Sequence, residues 1–212
     1  MRYKNRCREQ QDIPKKPRTK PAEVRLNELM SAAEQLFLDK GVEATTVDEI
    51  VELAQVAKGT FYYYFSSKNE LLKAMGERYT EQFLNRIEVA INKCDPDNWH
   101  EQLCVWIRES IDAYVETYRI HDIVYTCHYH NRSNREKNKI INNLKIILEA
   151  GVRSGIWSLE APHITALLIY AGVHGAADDI ISSPNFSRHD FTLKVISNCL
   201  RMVGDSGVAS ND

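Results

Sequence analysis

Glycine and proline are scarce in this chain, nine and six among 212 residues, and runs of alternating β-branched residues are few. That shortage argues against a sheet-and-turn architecture and for an all-α protein. The five cysteines (Cys7, Cys94, Cys104, Cys127, Cys199) are odd in number and form no CxxC pair. Neither a disulfide framework nor a zinc ribbon is indicated, and they read as reduced thiols of a cytoplasmic protein. No apolar run approaches the ~20 residues of a membrane span, so no membrane partner is expected. The basic N-terminus has no apolar stretch behind it and is not a secretory signal. A Gly-rich phosphate loop, HExxH and GxSxG are all missing, so neither an enzyme nor a bound cofactor is expected.

What is present is unevenly placed. The formal net charge is -2, yet residues 1–25 hold nine Lys/Arg against three Asp/Glu, a local balance of +6. A basic arm ahead of an acidic body suits attraction to a phosphate backbone at one end only. Pro14, Pro17 and Pro21 equally suit a solvated tail. Periodicity supplies the organisation: residues 1–21 as the arm, 22–70 as a compact helical unit, 71–204 as a larger helical region and 205–212 as a tail.

In the first unit, Leu26, Leu29, Met30, Ala33, Leu36 and Phe37 share one helical face from about Ala22 to Lys40, and Gly41 ends that helix. Thr46-Val47-Asp48-Glu49 is a capping box, opening a second helix to about Ala54 that buries Val47, Ile50, Val51 and Ala54. Gln55-Val56-Ala57 makes a turn, and Lys58 to Tyr64 forms a third helix carrying Tyr62, Tyr63 and Tyr64 in a row. Such a run is uncommon on a soluble surface away from a binding face. Ser67-Lys68-Asn69-Glu70 reads as a second capping box, starting a long helix from Lys68 to about Asn92. Two short helices around a tight turn are the helix-turn-helix arrangement, whose second helix enters the DNA major groove.

The run "AAEQLFLDKGVEATTVDEIVELAQVAKGTFYYYFSSKNELL", within residues Leu26 to about Met75, resembles the DNA-binding domain of the TetR family of bacterial transcriptional regulators. "KGTFYYYFSSKNELL" is its most specific part. The resemblance implies a nine-helix layout and a homodimer that binds a palindromic double-stranded DNA operator, most often as a repressor. It also implies a small-molecule effector that enters the larger region and releases the operator. Position by position, it implies that Thr46 and Tyr62 hold phosphates and that Lys58, Gly59 and Thr60 reach base edges. Tyr63 and Tyr64 would contact bases or sugars, and Lys68 would pair with a phosphate. Phe61 and Phe65 would pack the unit's own core. Where similar proteins have Gly-Val-Ser in the turn, this chain has Gln55-Val56-Ala57. The two changes cost on the order of 1 kcal/mol each, through a left-handed non-glycine residue and a lost cap hydroxyl.

Beyond Asn92, Cys94-Asp95-Pro96-Asp97-Asn98 breaks the chain. A helix from about Trp99 presents Leu103, Trp106, Ile107, Ser110, Ile111, Tyr114 and Tyr118 on one face, followed by a separate short segment at 121–131. A further helix from about Asn134 to Arg153 points Ile140, Ile141, Leu144, Ile147 and Leu148 inward. Trp106, Tyr114, Tyr118, Tyr125, Tyr129 and Trp157 are candidates for an aromatic effector cavity, with His128, His174 or Asp178 as polar contacts. An aromatic cage beside an acid would favour a cationic effector, with an acyl chain and a flavonoid as the open alternatives. The last two helices, one from Pro162 to about Ile181 and one from Arg188 to Val203, carry a candidate dimer face. Its residues are Leu168, Ala171, Gly172, Gly175, Phe191, Val195, Cys199 and Met202, packing with the partner's copies as a four-helix bundle. Two rival readings remain: a metal-responsive sensor built on His121, Cys127, His128 and His130, and a helical relative that no longer reads an operator.

Overall fold

The computed structural model describes residues 21–126, 135–183 and 187–204, and the chain in them is helical throughout. The elements are α1 (Ala22–Lys40), α2 (Val47–Leu53), α3 (Lys58–Tyr64), α4 (Lys68–Ile91), α5 (Trp99–Thr126), α6 (Arg135–Arg153), α7 (Pro162–Ser182) and α8 (Arg188–Met202). The N-terminal arm, Cys127, His128, Tyr129, His130 and the C-terminal tail lie outside the described residues. The expectations resting on them, including three of the four suggested metal ligands, therefore meet no geometry here.

Two apolar cores organise the molecule. One gathers Leu29, Phe37, Ile50, Phe61, Phe65, Leu71 and Met75 from α1 to α4. Full burial of side chains such as Phe61 stabilises by about 1.5–3 kcal/mol each. The other joins Leu103, Trp106, Ile107, Leu144, Leu148, Ile169, Ile196 and their neighbours from α4 to α8. The inward stripe expected on α6 is buried throughout. α4 runs between the two cores, with Leu71, Leu72 and Met75 in the first and Ile87 in the second.

Two expectations from the sequence are corrected. α5 does not stop before 121 but continues to Thr126, because Ile120, Ile123 and Val124 extend its apolar stripe. Val124 is fully buried in the N-terminal core, 3.8 Å from where a Cβ on Gly76 would stand. The described residues thus form eight helices rather than nine, and α4 is joined by α5 as a mechanical link between the two cores. The second correction is α7, which is long and apolar enough to cross a membrane, with 21 residues and a mean hydropathy of 1.3, where no such run was expected. Only 28% of its apolar window is buried within the monomer, so much of its apolar surface is uncovered.

That uncovered surface coincides with part of the expected dimer face. Leu168, at 55% exposure, Ala171, Gly172 and Gly175 face outward on α7, and Met202 does so on α8. Phe191 and Val195 are half-buried against the monomer's own core, and Cys199 is buried within it. The α8 stripe therefore divides: Thr192, Ile196, Cys199 and Leu200 turn inward.

Candidate nucleic-acid interface

Local chemistry builds the α2–turn–α3 unit. The Thr46 hydroxyl accepts the Glu49 N–H at 3.3 Å, and the Glu49 carboxylate accepts the Thr46 N–H at 2.9 Å, a reciprocal capping box. Lys40 forms an ion pair with Glu49, and with Thr46 it holds that carboxyl down at about 2. The end of α2 is a Schellman motif: Val56 N–H donates to Val51 O at 3.0 Å and Gln55 N–H to Glu52 O at 3.1 Å. Its hand requires a left-handed residue at position 55, and Gln55 has φ 54°. The end of α6 uses the same pair of bonds, from Ile156 to Gly151 and Gly155 to Val152, with glycine at φ 72° in the equivalent place. Ala57 at the start of α3 makes no side-chain cap. Both departures in the turn are therefore borne by the backbone as the sequence implies. Ala57→Ser should raise unfolding stability by ~1 kcal/mol. Gln55→Gly should raise it by about 0.5–1 kcal/mol, the left-handed penalty less glycine's entropy. Urea titrations would measure both.

α3 is amphipathic across its short length. Phe61 is 0% exposed and Phe65 is buried behind it, while Tyr63 is 80% and Tyr62 53% exposed. Lys58 and Gly59 are also exposed and Thr60 is half-buried. The Lys58 ammonium lies 2.7 Å from Asp48 on α2, which raises the lysine's pKa and aims it along the outer face. Thr46, at the start of α2, is also exposed.

Two candidates on that list are committed elsewhere. The Tyr64 hydroxyl donates to Ala22 O at 2.9 Å, anchoring α3 to the start of α1. The Lys68 ammonium donates to the carbonyls of Val42 and Thr45 (2.9 Å for the latter), closing the α1–α2 loop onto the start of α4. A phosphate contact was expected of Lys68, and this loop role was missed, because its partners lie 23 and 26 residues away in sequence. Lys68→Ala should cost about 1–2 kcal/mol of stability even without DNA, as charge-assisted bonds to carbonyls are lost. A thermal-unfolding series would read that loss directly. The capping box at Ser67 is half formed: its hydroxyl accepts the Glu70 N–H at 3.2 Å, while the Glu70 carboxylate takes the Ser66 N–H instead.

The effector candidates separate in the same way. Tyr114, His121, Tyr125 and His174 meet between α4, α5 and α7, together with Tyr79 and Tyr170, which the sequence did not single out. Ring centroids stand 4.5 Å apart for Tyr114–His121 and Tyr170–His174. The Tyr114 hydroxyl donates to Asp178 at 2.8 Å, and Tyr125 and Thr80 share a hydroxyl contact of 2.5 Å. Burial pushes the Tyr125 hydroxyl up to about 12 and His174 down to about 4, with neighbouring His121 adding to the latter. Trp106, Tyr114 and His174 edge a void of only about 10 Å³, the size of one water. Trp157 is buried against Gly151, its indole N–H donating to Leu148 O at 2.8 Å, and Tyr118 is exposed. Neither joins the cluster. His121 is the one suggested metal ligand described, and it sits among these rings; no metal-holding group of His, Cys, Asp or Glu occurs among the described residues.

A short outward helix behind a Schellman turn, held on a three-helix core with a capping box at the start of α2, defines a helix-turn-helix protein. Residues 29–75 match the model of the bacterial regulatory proteins of the tetR family. Over that segment the chain carries a DNA-binding domain of the TetR type. It is 34% identical over 100 residues to the uncharacterized HTH-type transcriptional regulator YvdT of Bacillus subtilis, covering 47% of this chain and 49% of that protein. The match thus spans about half that relative's length. With the HTH-type transcriptional regulator QacR of Staphylococcus aureus it is 27% identical over 165 residues, 70% of this chain and 82% of QacR. The fold superposes on the Bacillus subtilis transcriptional regulator FadR in complex with stearoyl-CoA at a TM-score of 0.69, with 19% identity over 86% of this chain and 98% of that one.

Proposed function

We propose that this chain is a ligand-responsive transcriptional regulator acting as a repressor. In this reading it binds a palindromic operator as a homodimer and leaves it when a small molecule occupies the larger helical region. The observation that carries the reading is the division of α3: Phe61 wholly buried, and Tyr62 and Tyr63 exposed beside Lys58 and Gly59. Aromatic rings held on a rigid, solvent-facing helix are costly to leave unpartnered, and Lys58 puts a cation among them. Lys58, Gly59, Thr60 and Tyr63 are the residues assigned to bases, and Thr46 and Tyr62 to phosphates. Lys68 and Tyr64 act from behind, by holding the loop and α1 in place.

The open face of α7, with small residues at Ala171, Gly172 and Gly175, supports close approach of a second copy. The histidine–tyrosine cluster supports an effector site whose aromatic walls and Asp178 suit a cation, once the rings part to admit it. Such a ligand releases DNA only if it binds the released form more tightly than the bound one. The test is selection of duplexes from a random library by the purified protein at near-physiological salt. A recovered palindrome whose half-site changes with Thr60 or Tyr63 substitution supports the reading. Recovery of no motif by folded, dimeric protein would overturn it.

A further inference from the structure

A larger cleft lies where α1 meets α4 and α5, adjoining the histidine–tyrosine cluster through Tyr79. Its free volume is about 180 Å³. An apolar cavity of about 150 Å³ holds a benzene molecule, so there is room here for one ring and a small head group. The space exists because the α5 side of the cleft carries Ala113 and Thr117, where larger side chains would close it. Met75, Phe83, Ala113 and Ile120 give it apolar walls.

Its polar edge carries Glu34 on α1 and Arg78 and Arg86 on α4. Arg86 is taken up by Glu109 at 2.9 Å and Glu116 at 2.6 Å on α5. Arg78 has Glu34 as its partner among the described residues, through Nη2 at 3.1 Å. A guanidinium carries five N–H donors, so most of those on Arg78 remain for a second acceptor. The side chain is 24% exposed, which limits the screening of any charge placed against it.

We propose that this cleft is a binding site for a small aromatic carboxylate, its ring between Met75, Phe83, Ala113 and Ile120 and its carboxylate on Arg78. Bidentate pairing of guanidinium with carboxylate sets the head-group preference. The ligand competes with Glu34 for Arg78 and so loosens one of the ties that hold α1. Another is Arg119 on α5, which donates to Leu38 O at 3.0 Å. The site lies on the α1 side of Tyr79, next to the one suggested for a cation, and its occupancy can be measured without DNA.

The probes are phenylacetate, 2-phenylethanol and 2-phenylethylamine, titrated into the full-length protein by calorimetry and NMR. Phenylacetate should bind with a dissociation constant on the order of 1 mM or tighter, in keeping with its few heavy atoms. The alcohol and the amine should bind at least about tenfold more weakly, the loss expected for removing a charge-assisted pair. Arg78→Gln should weaken phenylacetate by about tenfold or more, and Ala113→Phe should abolish binding by filling the cleft. Glu34→Gln should tighten it several-fold, an effect that a merely structural role for the pair does not produce. Contacts between the phenyl protons and the methyl groups of Met75 and Ala113 place the ring should a variant fail to fold. Equal affinity for amine or alcohol, absence of binding, or phenyl contacts elsewhere would overturn the proposal.

Discussion

Gly151→Ala should destabilise the protein by about 3 kcal/mol, although alanine is intrinsically the better helix former by ~1 kcal/mol. A Cβ built on Gly151 would stand 2.1 Å from Cζ2 and 2.2 Å from Cε2 of Trp157. No rotation of a methyl group relieves such a contact, so the indole must leave. Its departure breaks the N–H bond to Leu148 O and exposes a ring that is now 4% accessible. A lost hydrogen bond of about 1 kcal/mol and re-exposure of a large apolar group at about 2–3 kcal/mol together outweigh the helix propensity. Urea unfolding provides the measurement, and a Trp157→Leu background provides the control. There, the same alanine should cost far less, because the ring that it strikes is gone. An equal cost in both backgrounds would place the strain in the helix itself.

That prediction also marks the limit of what the sequence disclosed. Effects confined to a few neighbouring residues were legible: the Thr46–Glu49 box, the stop at Gly41, the left-handed Gln55 and the bare start of α3 at Ala57. Each follows from backbone groups that must be satisfied within one turn. Helical faces were legible too, since burial on α1 and α6 follows their apolar spacing. Lys68, Tyr64 and Trp157 were not, because each looked like a surface or pocket residue until its distant partner was known. An ammonium, a phenol or an indole goes wherever an unpaired carbonyl waits, and only the tertiary fold says where that is. The continuation of α5 was hidden for a related reason. Polar His121 and Asp122 interrupt the stripe locally, while Val124 gains its burial from α4 and the N-terminal core. The gathering of Tyr79, Tyr114, His121, Tyr125, Tyr170 and His174 likewise joins three helices, which no single window of sequence displays.

Stability should fall by about 2 kcal/mol between pH 7.5 and pH 5, driven chiefly by His174. The imidazole is packed among Tyr114, His121 and Tyr170, with Asp178 and Lys137 among the charges acting on it. Burial, then His121 and Lys137, disfavour the proton, Asp178 favours it, and the balance holds His174 down at about 4. An unfolded chain returns it to about 6.5. Well above pH 6.5 neither state is protonated there, and the folded state has its full stability. As the pH falls below 6.5 the unfolded state takes up the proton first, and stability drops until the folded state titrates near 4. His121 is shifted in the same direction by its burial and adds to the slope. The carboxylates whose folded values are lowered, such as Glu49 with its ion pair to Lys40, weaken only below about pH 4.5 and leave this window clear. Urea midpoints at half-unit steps would trace the curve. His174→Gln should flatten it to the contribution of His121, because a side chain that does not titrate has no proton to refuse. A ligand that parts the rings and hydrates His174 should flatten it as well, which makes the pH slope a direct report on opening of the cluster.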